Sequence, residues 1–136
     1  MAEIRYGEKK DLTYLLKNDD HIDKKEILQQ RLNNKQVIVA EKDSKIAGWL
    51  RFSYLWEHIP FMNLIWLHKK YRGQGIGTKM VSFWEKEMKA EGFDLLMTSS
   101  LSDKKGQFFH RKNGYKDAGC FILEEEALEI IFKKKL

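Results

Sequence analysis

The chain has 136 residues with a single Cys, a single Pro and a net charge of +5, from 25 Lys and Arg against 20 Asp and Glu. That length suits one domain, residues 1–136, around one core, and 43% hydrophobic with 33% charged residues excludes a disordered or fibrous chain. One Cys excludes an intramolecular disulfide framework and a Cys-rich zinc site, so no metal is expected.

Chain order begins with Glu3 to Tyr6, which alternates as a short strand would. Leu12, Leu15 and Leu16 then recur at helical spacing. Asp23 with Glu26 three positions later has the form of a capping box, ahead of Ile27, Leu28 and Leu32 on one helical face, and Asn33-Asn34 ends that helix. Val37 to Ala40 is a strand, Asp43-Ser44 a turn, and Ile46 to Trp56 a long aromatic strand, which together form a hairpin. A loop over Glu57 to Pro60 leads to a third extended run, Phe61 to Leu67. From the glycine cluster at 73–77 the apolar residues Ile76, Met80, Phe83, Trp84 and Met88 predict an amphipathic helix stopped by Gly92. Leu95 to Thr98 reads as a buried strand and Lys104 to Asn113 as a short helix ended by Gly114. Tyr115 and Cys120 to Leu123 form a strand, Glu124-Glu125-Glu126 turns the chain, and Ala127 to Phe132 returns. The order β-α-α-β-β-β-α-β-α-β-β specifies an α/β (α+β) fold, a mixed, mostly antiparallel sheet flanked by helices.

Charges interrupt every apolar pair of the opening MAEIRYGEKKDL, and no uncharged stretch approaches the roughly 18 apolar residues of a membrane span. A cytoplasmic protein with no membrane partner is expected. The cations are scattered in ones and twos rather than gathered in a stripe, so nucleic acid is not the expected partner. Lys133 to Lys135 reads as a frayed, solvated tail. A modest positive excess does favour an anionic small ligand.

The most informative stretch is Lys70-Tyr71-Arg72-Gly73-Gln74-Gly75-Ile76-Gly77-Thr78. It follows an apolar strand and opens a helix, the setting in which unpaired backbone N–H groups face an anion. Glycines there permit unusual backbone angles and close approach of a phosphate. The spacing is not the dinucleotide fingerprint, which requires Gly where Thr78 or Met80 stands, nor a P-loop, nor a kinase glycine loop.

Arg72-x-x-Gly75-x-Gly77 fits the pattern [Q/R]-x-x-G-x-[G/A], and Phe109-His110-Arg111-Lys112-Asn113-Gly114-Tyr115 supplies an aromatic pair, charged residues and a Gly-aromatic end. In both, the chain resembles the GNAT superfamily of acetyl-CoA-dependent N-acetyltransferases. The resemblance implies acetyl-CoA as acetyl donor and a primary amine as acceptor. It implies direct attack in a ternary complex without a covalent enzyme intermediate. The amides of Arg72, Gly73, Gln74, Gly75, Ile76, Gly77 and Thr78 would bind the pyrophosphate, with Arg72 adding charge-assisted bonds. Pantetheine would insert beside Ile65, Trp66, Leu67 and His68 as an added strand, where the strand diverges from Leu95 to Thr98. Phe109 would flank it. The N–H of Leu67 would polarise the acetyl carbonyl.

Two family positions differ here. His110 stands where relatives often have a Tyr that protonates the departing thiolate, and Asn63 where many have a basic Glu. Neutral imidazole still offers an N–H, and Asn63 offers to position a water, with Glu57 and His58 upstream as proton relays. Those departures leave a non-catalytic acyl-CoA-binding sensor or partner module as the alternative. Asp103 is placed to cap the helix from Lys104. Phe52, Tyr54, Trp56, Phe61 and Trp66 are expected around the acceptor cleft. Edge strands near the C-terminus make a homodimer conceivable.

Overall fold

The computed structural model describes residues 1–123 and 127–136. The order of elements is the one the sequence pattern specifies. Strand β1 is Glu3–Tyr6, followed by helices α1 (Leu12–Asn18) and α2 (Lys25–Asn33). Strands β2 (Val37–Lys42), β3 (Lys45–Leu55) and β4 (Ile59–Leu67) precede helix α3 (Ile76–Ala90). Strand β5 (Leu95–Leu101), helix α4 (Gly106–Lys112), and strands β6 (Lys116–Phe121) and β7 (Glu129–Lys135) complete the chain. The strands form one mixed sheet in the order β1-β2-β3-β4-β5-β7-β6. The β1–β2, β2–β3, β5–β7 and β6–β7 ladders are antiparallel, and β4–β5 is parallel. No helix among the described residues is long and apolar enough to cross a membrane.

The chain divides into two compact units, Met1–Phe52 with Leu64–Phe83, and Ser53–Asn63 with Trp84–Leu136. In the first, Leu12, Leu15, Leu28 and Leu32 of α1 and α2 share a core with Val37, Val39 and Trp49. The connection between the two helices is fastened by a buried ion pair. Asp19 accepts from Arg51 Nε at 2.6 Å, from Arg51 Nη2 at 3.3 Å and from Trp49 Nε1 at 3.2 Å. It also accepts from the His21 amide at 3.1 Å. Two charges removed from water are tolerable here because each is met by the other and by further donors.

In the second unit Met62, Trp84, Met88, Leu96, Tyr115 and Phe132 are buried. Glu85 holds two partners there, accepting from the Tyr115 hydroxyl at 2.8 Å and pairing with the Lys134 ammonium at 3.0 Å. Lys134 Nζ also donates to the Asn113 carbonyl at 2.9 Å. Lys133 to Lys135 is therefore not a frayed tail. These residues close β7, paired with Leu95 to Met97 of β5.

Helix ends follow the glycines. Gly92 (φ +98°) stops α3, with Phe93 N donating to Met88 O and Gly92 N to Lys89 O. Gly114 (φ +90°) stops α4 in the same way, through Tyr115 N to His110 O and Gly114 N to Arg111 O. This paired bonding satisfies orphan carbonyls at the cost of one left-handed residue, a conformation glycine adopts without a Cβ clash. The predicted starts fare less well. Helix α2 begins at Lys25 behind Lys24 with no side-chain cap, so the Asp23–Glu26 box does not form. Helix α4 begins at Gly106 behind Lys105 with no side-chain cap, so Asp103 does not cap it. An acidic residue instead serves Glu8, whose N–H donates to Asp11 Oδ2 at 2.8 Å.

Two further boundaries differ. The loop expected over Glu57 to Pro60 is a tight turn, in which Trp56 (φ +53°) and Glu57 (φ +66°) are both left-handed and His58 N donates to Leu55 O at 3.0 Å. Strand β6 ends at Phe121, leaving Ile122 and Leu123 exposed beyond it. The turn expected at Glu124 to Glu126 lies outside the described residues.

Candidate functional site

Strand β4 ends at Leu67, and a single turn of 3-10 helix, Lys69–Tyr71, carries the chain towards α3. Tyr71 is buried and anchors that turn, as Ile76 anchors the first turn of α3. Between these anchors Gly73 (φ +76°) and Gly75 (φ +80°) are left-handed, and a Cβ on either would meet nothing within 4 Å. The bend is therefore open on its outer side. Its first intrahelical bond is Lys79 N to Gly75 O at 3.1 Å. Among the described residues none of the N–H groups of Gly73 through Thr78 has a hydrogen-bond partner. Six successive unpaired donors at the N-terminus of a 15-residue helix combine the partial positive charge of the helix with directed N–H groups. The arrangement fits a diphosphate.

The side chains around the bend hold its shape. Arg72 Nε donates to the Leu67 carbonyl at 2.8 Å, and its guanidinium lies 5.8 Å from the Trp66 ring centre. That bond spans five residues and ties the bend back to the strand end, while the terminal nitrogens of Arg72 have no partner among the described residues. Gln74 Nε2 donates to the Lys70 carbonyl, and its Oε1 accepts from Lys42 Nζ at 2.7 Å.

Behind the strand end sits Gly48 of β3. A Cβ there would approach the Trp66 carbonyl oxygen to 2.4 Å and Leu67 Cδ1 to 2.6 Å. Only glycine lets β4 pass this close. His68 closes the strand by donating its N–H to the Ala47 carbonyl at 2.8 Å. The His68 ring is hydrogen-bonded through Nε2 to the Tyr14 hydroxyl, with Trp66 edge-on at 4.5 Å. Burial, with Lys70 and Arg72 nearby, lowers the His68 pKa, and burial raises that of Tyr14, so the pair is a neutral phenol on a neutral imidazole. Trp66 packs on Trp49 at 4.9 Å. Its indole and the His68 ring thus belong to an aromatic cluster.

Asn63, Glu57, Phe109 and His110 lie in the other unit. Strands β4 and β5 pair only through Phe61 with Met97 and Met62 with Thr98, and Thr98 Oγ1 adds a bond to the Met62 carbonyl at 2.9 Å. Asn63, the next residue, is exposed and donates to Ser53 Oγ at 2.8 Å. Glu57 sits in the turn before β4, whereas Leu67 is the last residue of that nine-residue strand. His110 is 5% exposed, packed against Phe132 at 5.5 Å and Phe109 at 5.7 Å. Burial drives its pKa down to about 4, so the ring is neutral, and its Nδ1 has no partner among the described residues. Phe52 is buried, Tyr54 packs on Phe93 at 5.7 Å, and Trp56 is 75% exposed.

Tyr14 and Gly48 went unnoticed in the sequence. Nothing local marks Tyr14 as a partner for a residue 54 positions away, and a lone glycine inside a strand signals close backbone approach only once its neighbour is known.

The sequence model of the Acetyltransferase (GNAT) family matches residues 3–115. Among curated proteins none matches. Solved structures do. An acetyltransferase of the GNAT family from Bacillus cereus aligns with a TM-score of 0.82 at 21% identity, covering 99% of this chain and 97% of its own. The PaiA N-acetyltransferase of Thermoplasma acidophilum, solved in complex with coenzyme A, gives 0.82 at 20% identity, covering 100% and 99%. A ribosomal-protein-alanine N-acetyltransferase from Brucella melitensis gives 0.81 at 19% identity, covering 98% and 99%.

Proposed function

The chain belongs to the GNAT acetyltransferase family, and from that premise we propose that it moves the acetyl group of acetyl-CoA to a primary amine by direct attack in a ternary complex. The observation that carries this reading is the open bend at 73–78, with its unpaired amides and left-handed glycines. When bound, acetyl-CoA supplies an acyl carbon already activated as a thioester.

The chain's own residues do the rest. The amides of Gly73 through Thr78 grip the diphosphate, and the terminal nitrogens of Arg72 add charge while its Nε stays on the Leu67 carbonyl. Ile65 to Leu67 offers main-chain groups along which pantetheine adds as a strand. The Leu67 N–H polarises the acetyl carbonyl, with Gly48 against the Trp66–Leu67 peptide that carries it and Arg72 holding the next peptide through the Leu67 carbonyl. The amine loses its proton through water held at Asn63 rather than to a dedicated carboxylate. Neutral His110 offers an N–H to the departing sulfur as a hydrogen-bond donor, with solvent as the final proton source.

The buried, neutral His110 and the bonded Asn63 also favour a second reading, a module that binds acyl-CoA without turning it over. Thiol release from acetyl-CoA across a panel of amines separates the two. Saturable, acceptor-dependent release supports the transferase, and binding without release supports the module. Calorimetric titration tests the shared premise. Acetyl-CoA should bind and NAD and ATP should not, and Gly75→Glu should abolish binding with the fold retained, because its carboxylate enters the open space beside the amides. Binding of NAD or ATP but not acetyl-CoA would overturn both readings.

A further inference from the structure

Leu67 stands between two aromatic residues, Trp66 and His68, and within the first unit one short helix, α1, supports both of their rings. On one side the Trp66 indole packs on Trp49 at 4.9 Å. Trp49 Nε1 in turn donates to Asp19 Oδ2 at 3.2 Å, and Asp19 closes α1 with its own N–H on the Leu15 carbonyl at 2.8 Å. On the other side the His68 ring meets the same indole edge-on at 4.5 Å, and His68 Nε2 is hydrogen-bonded to the Tyr14 hydroxyl. Tyr14 and Trp49 also meet edge to face at 6.1 Å, which joins the two supports into one block.

The main chain divides the work. The peptide between Leu67 and His68 is tied at both of its polar atoms, the carbonyl by Arg72 Nε and the N–H by Ala47 O, each at 2.8 Å. The Leu67 N–H belongs to the preceding peptide, which is aimed through Gly48 at its carbonyl and through the Trp66 side chain. The indole is wedged between Trp49 and His68, so its place depends on the angle of the imidazole. Without the phenolic hydroxyl the imidazole is released to turn about its ring bond, since that torsion is soft. An oxyanion donor acts only within about 2.7–3.1 Å of where charge develops, and a misplacement of about 1 Å costs up to a hundredfold in rate.

We propose that Tyr14 is a positioning residue for the transfer: its hydroxyl sets the His68 ring, the ring sets Trp66, and Trp66 aims the Leu67 N–H at the acetyl carbonyl. The inference rests on the reading of Leu67 given above. Tyr14→Phe isolates the hydroxyl, because the ring stays against Trp49 and the atom removed faces a cavity that Lys69 to Tyr71 also line, so no sealed void is left in the core.

Infrared difference spectra of bound acetyl-CoA carrying carbon-13 at the acetyl carbonyl read the polarisation with no amine present. In the parent protein the carbonyl band should lie below its position in free acetyl-CoA. Tyr14→Phe should return it at least halfway, with the dissociation constant for acetyl-CoA changed less than twofold. With an amine that the parent protein accepts, kcat should fall about tenfold while KM for acetyl-CoA holds. His68→Phe should behave alike, and the double variant should lose no more than either single one, since both remove the same bond. An unmoved band with kcat retained overturns the proposal, as do losses that add in the double variant. A lowered urea midpoint with band and kcat unchanged makes the bond a matter of folding and overturns it equally. A parent band at the free position is a different failure, in which Leu67 does not polarise the carbonyl and the proposal falls with that reading.

Discussion

At the scale of single residues the structure places two ionisable groups where water cannot reach them, with opposite consequences. His110 has no opposite charge to keep it protonated, and burial alone lowers its pKa to about 4 from the ordinary 6.5. Between these values the unfolded chain binds a proton that the folded chain refuses, so stability falls as pH drops from about 6.5 to 4. The shift corresponds to about 3 kcal/mol lost at the acid end. Urea unfolding at pH 7 and pH 4.5 should show this loss, and His110→Phe, set among Phe109, Tyr115 and Phe132, should largely remove it. An identical loss in that variant would place the acid sensitivity elsewhere. Asp19 is the converse case, a buried charge fully matched. Asp19→Ala strands the Arg51 guanidinium, itself buried, and should cost about 3–5 kcal/mol by denaturant melts. A cost under 1 kcal/mol would mean that Arg51 finds water or another acceptor.

At the scale of elements, the tight turn joining β3 and β4 shows what sequence pattern conveys and what it omits. Hairpins close best on two left-handed residues, a requirement that Asn-Gly or Asp-Gly meets with little strain. Trp56 and Glu57 meet it at φ +53° and +66° with full side chains, so the composition of the stretch read as a longer loop. Glu57→Gly should therefore stabilise the protein by about 1 kcal/mol in denaturant melts. It should also leave kcat/KM for acetyl transfer unchanged, since the proposed deprotonation runs through water held at Asn63. A tenfold fall in that ratio would make Glu57 the base. The strands and helices themselves were legible because periods of 2 and 3.6 residues are written in the apolar positions, as at Ile76, Met80, Trp84 and Met88, all buried. Gly92 and Gly114 were legible as stops for the same kind of local reason. Lys133 to Lys135 was not, because three successive cations look solvated unless one knows that Glu85, 49 positions earlier than Lys134, waits beside the strand. The bend at 73–78 was legible as an open glycine turn between a strand and a helix, since that shape is a property of its own backbone. The roles of Asn63 and His110 depend on neighbours distant in sequence and were not.

At the scale of the whole molecule the relevant quantity is charge. The excess of 25 − 20 = +5 is spread along the chain, yet in the first unit Lys42, Lys45, Lys69, Lys70 and Arg72 lie on the segments that flank the bend and its adjoining cavity. A polyanionic cosubstrate approaching this surface meets attraction before it meets any specific donor, which raises the association rate at low salt and fades as the Debye length shrinks. Stopped-flow measurement of acetyl-CoA binding should show an association rate constant that falls several-fold between roughly 20 and 200 mM salt. The dissociation rate constant should move little over the same range, since the proposed grip by the amides of Gly73 through Thr78 acts at contact. The acetyl thioester of pantetheine has the same reactive end without phosphates, and its association should be insensitive to salt. Equal salt dependence for both thioesters would show that the cations around the bend do not steer the approach, and that the diphosphate is recognised only after contact.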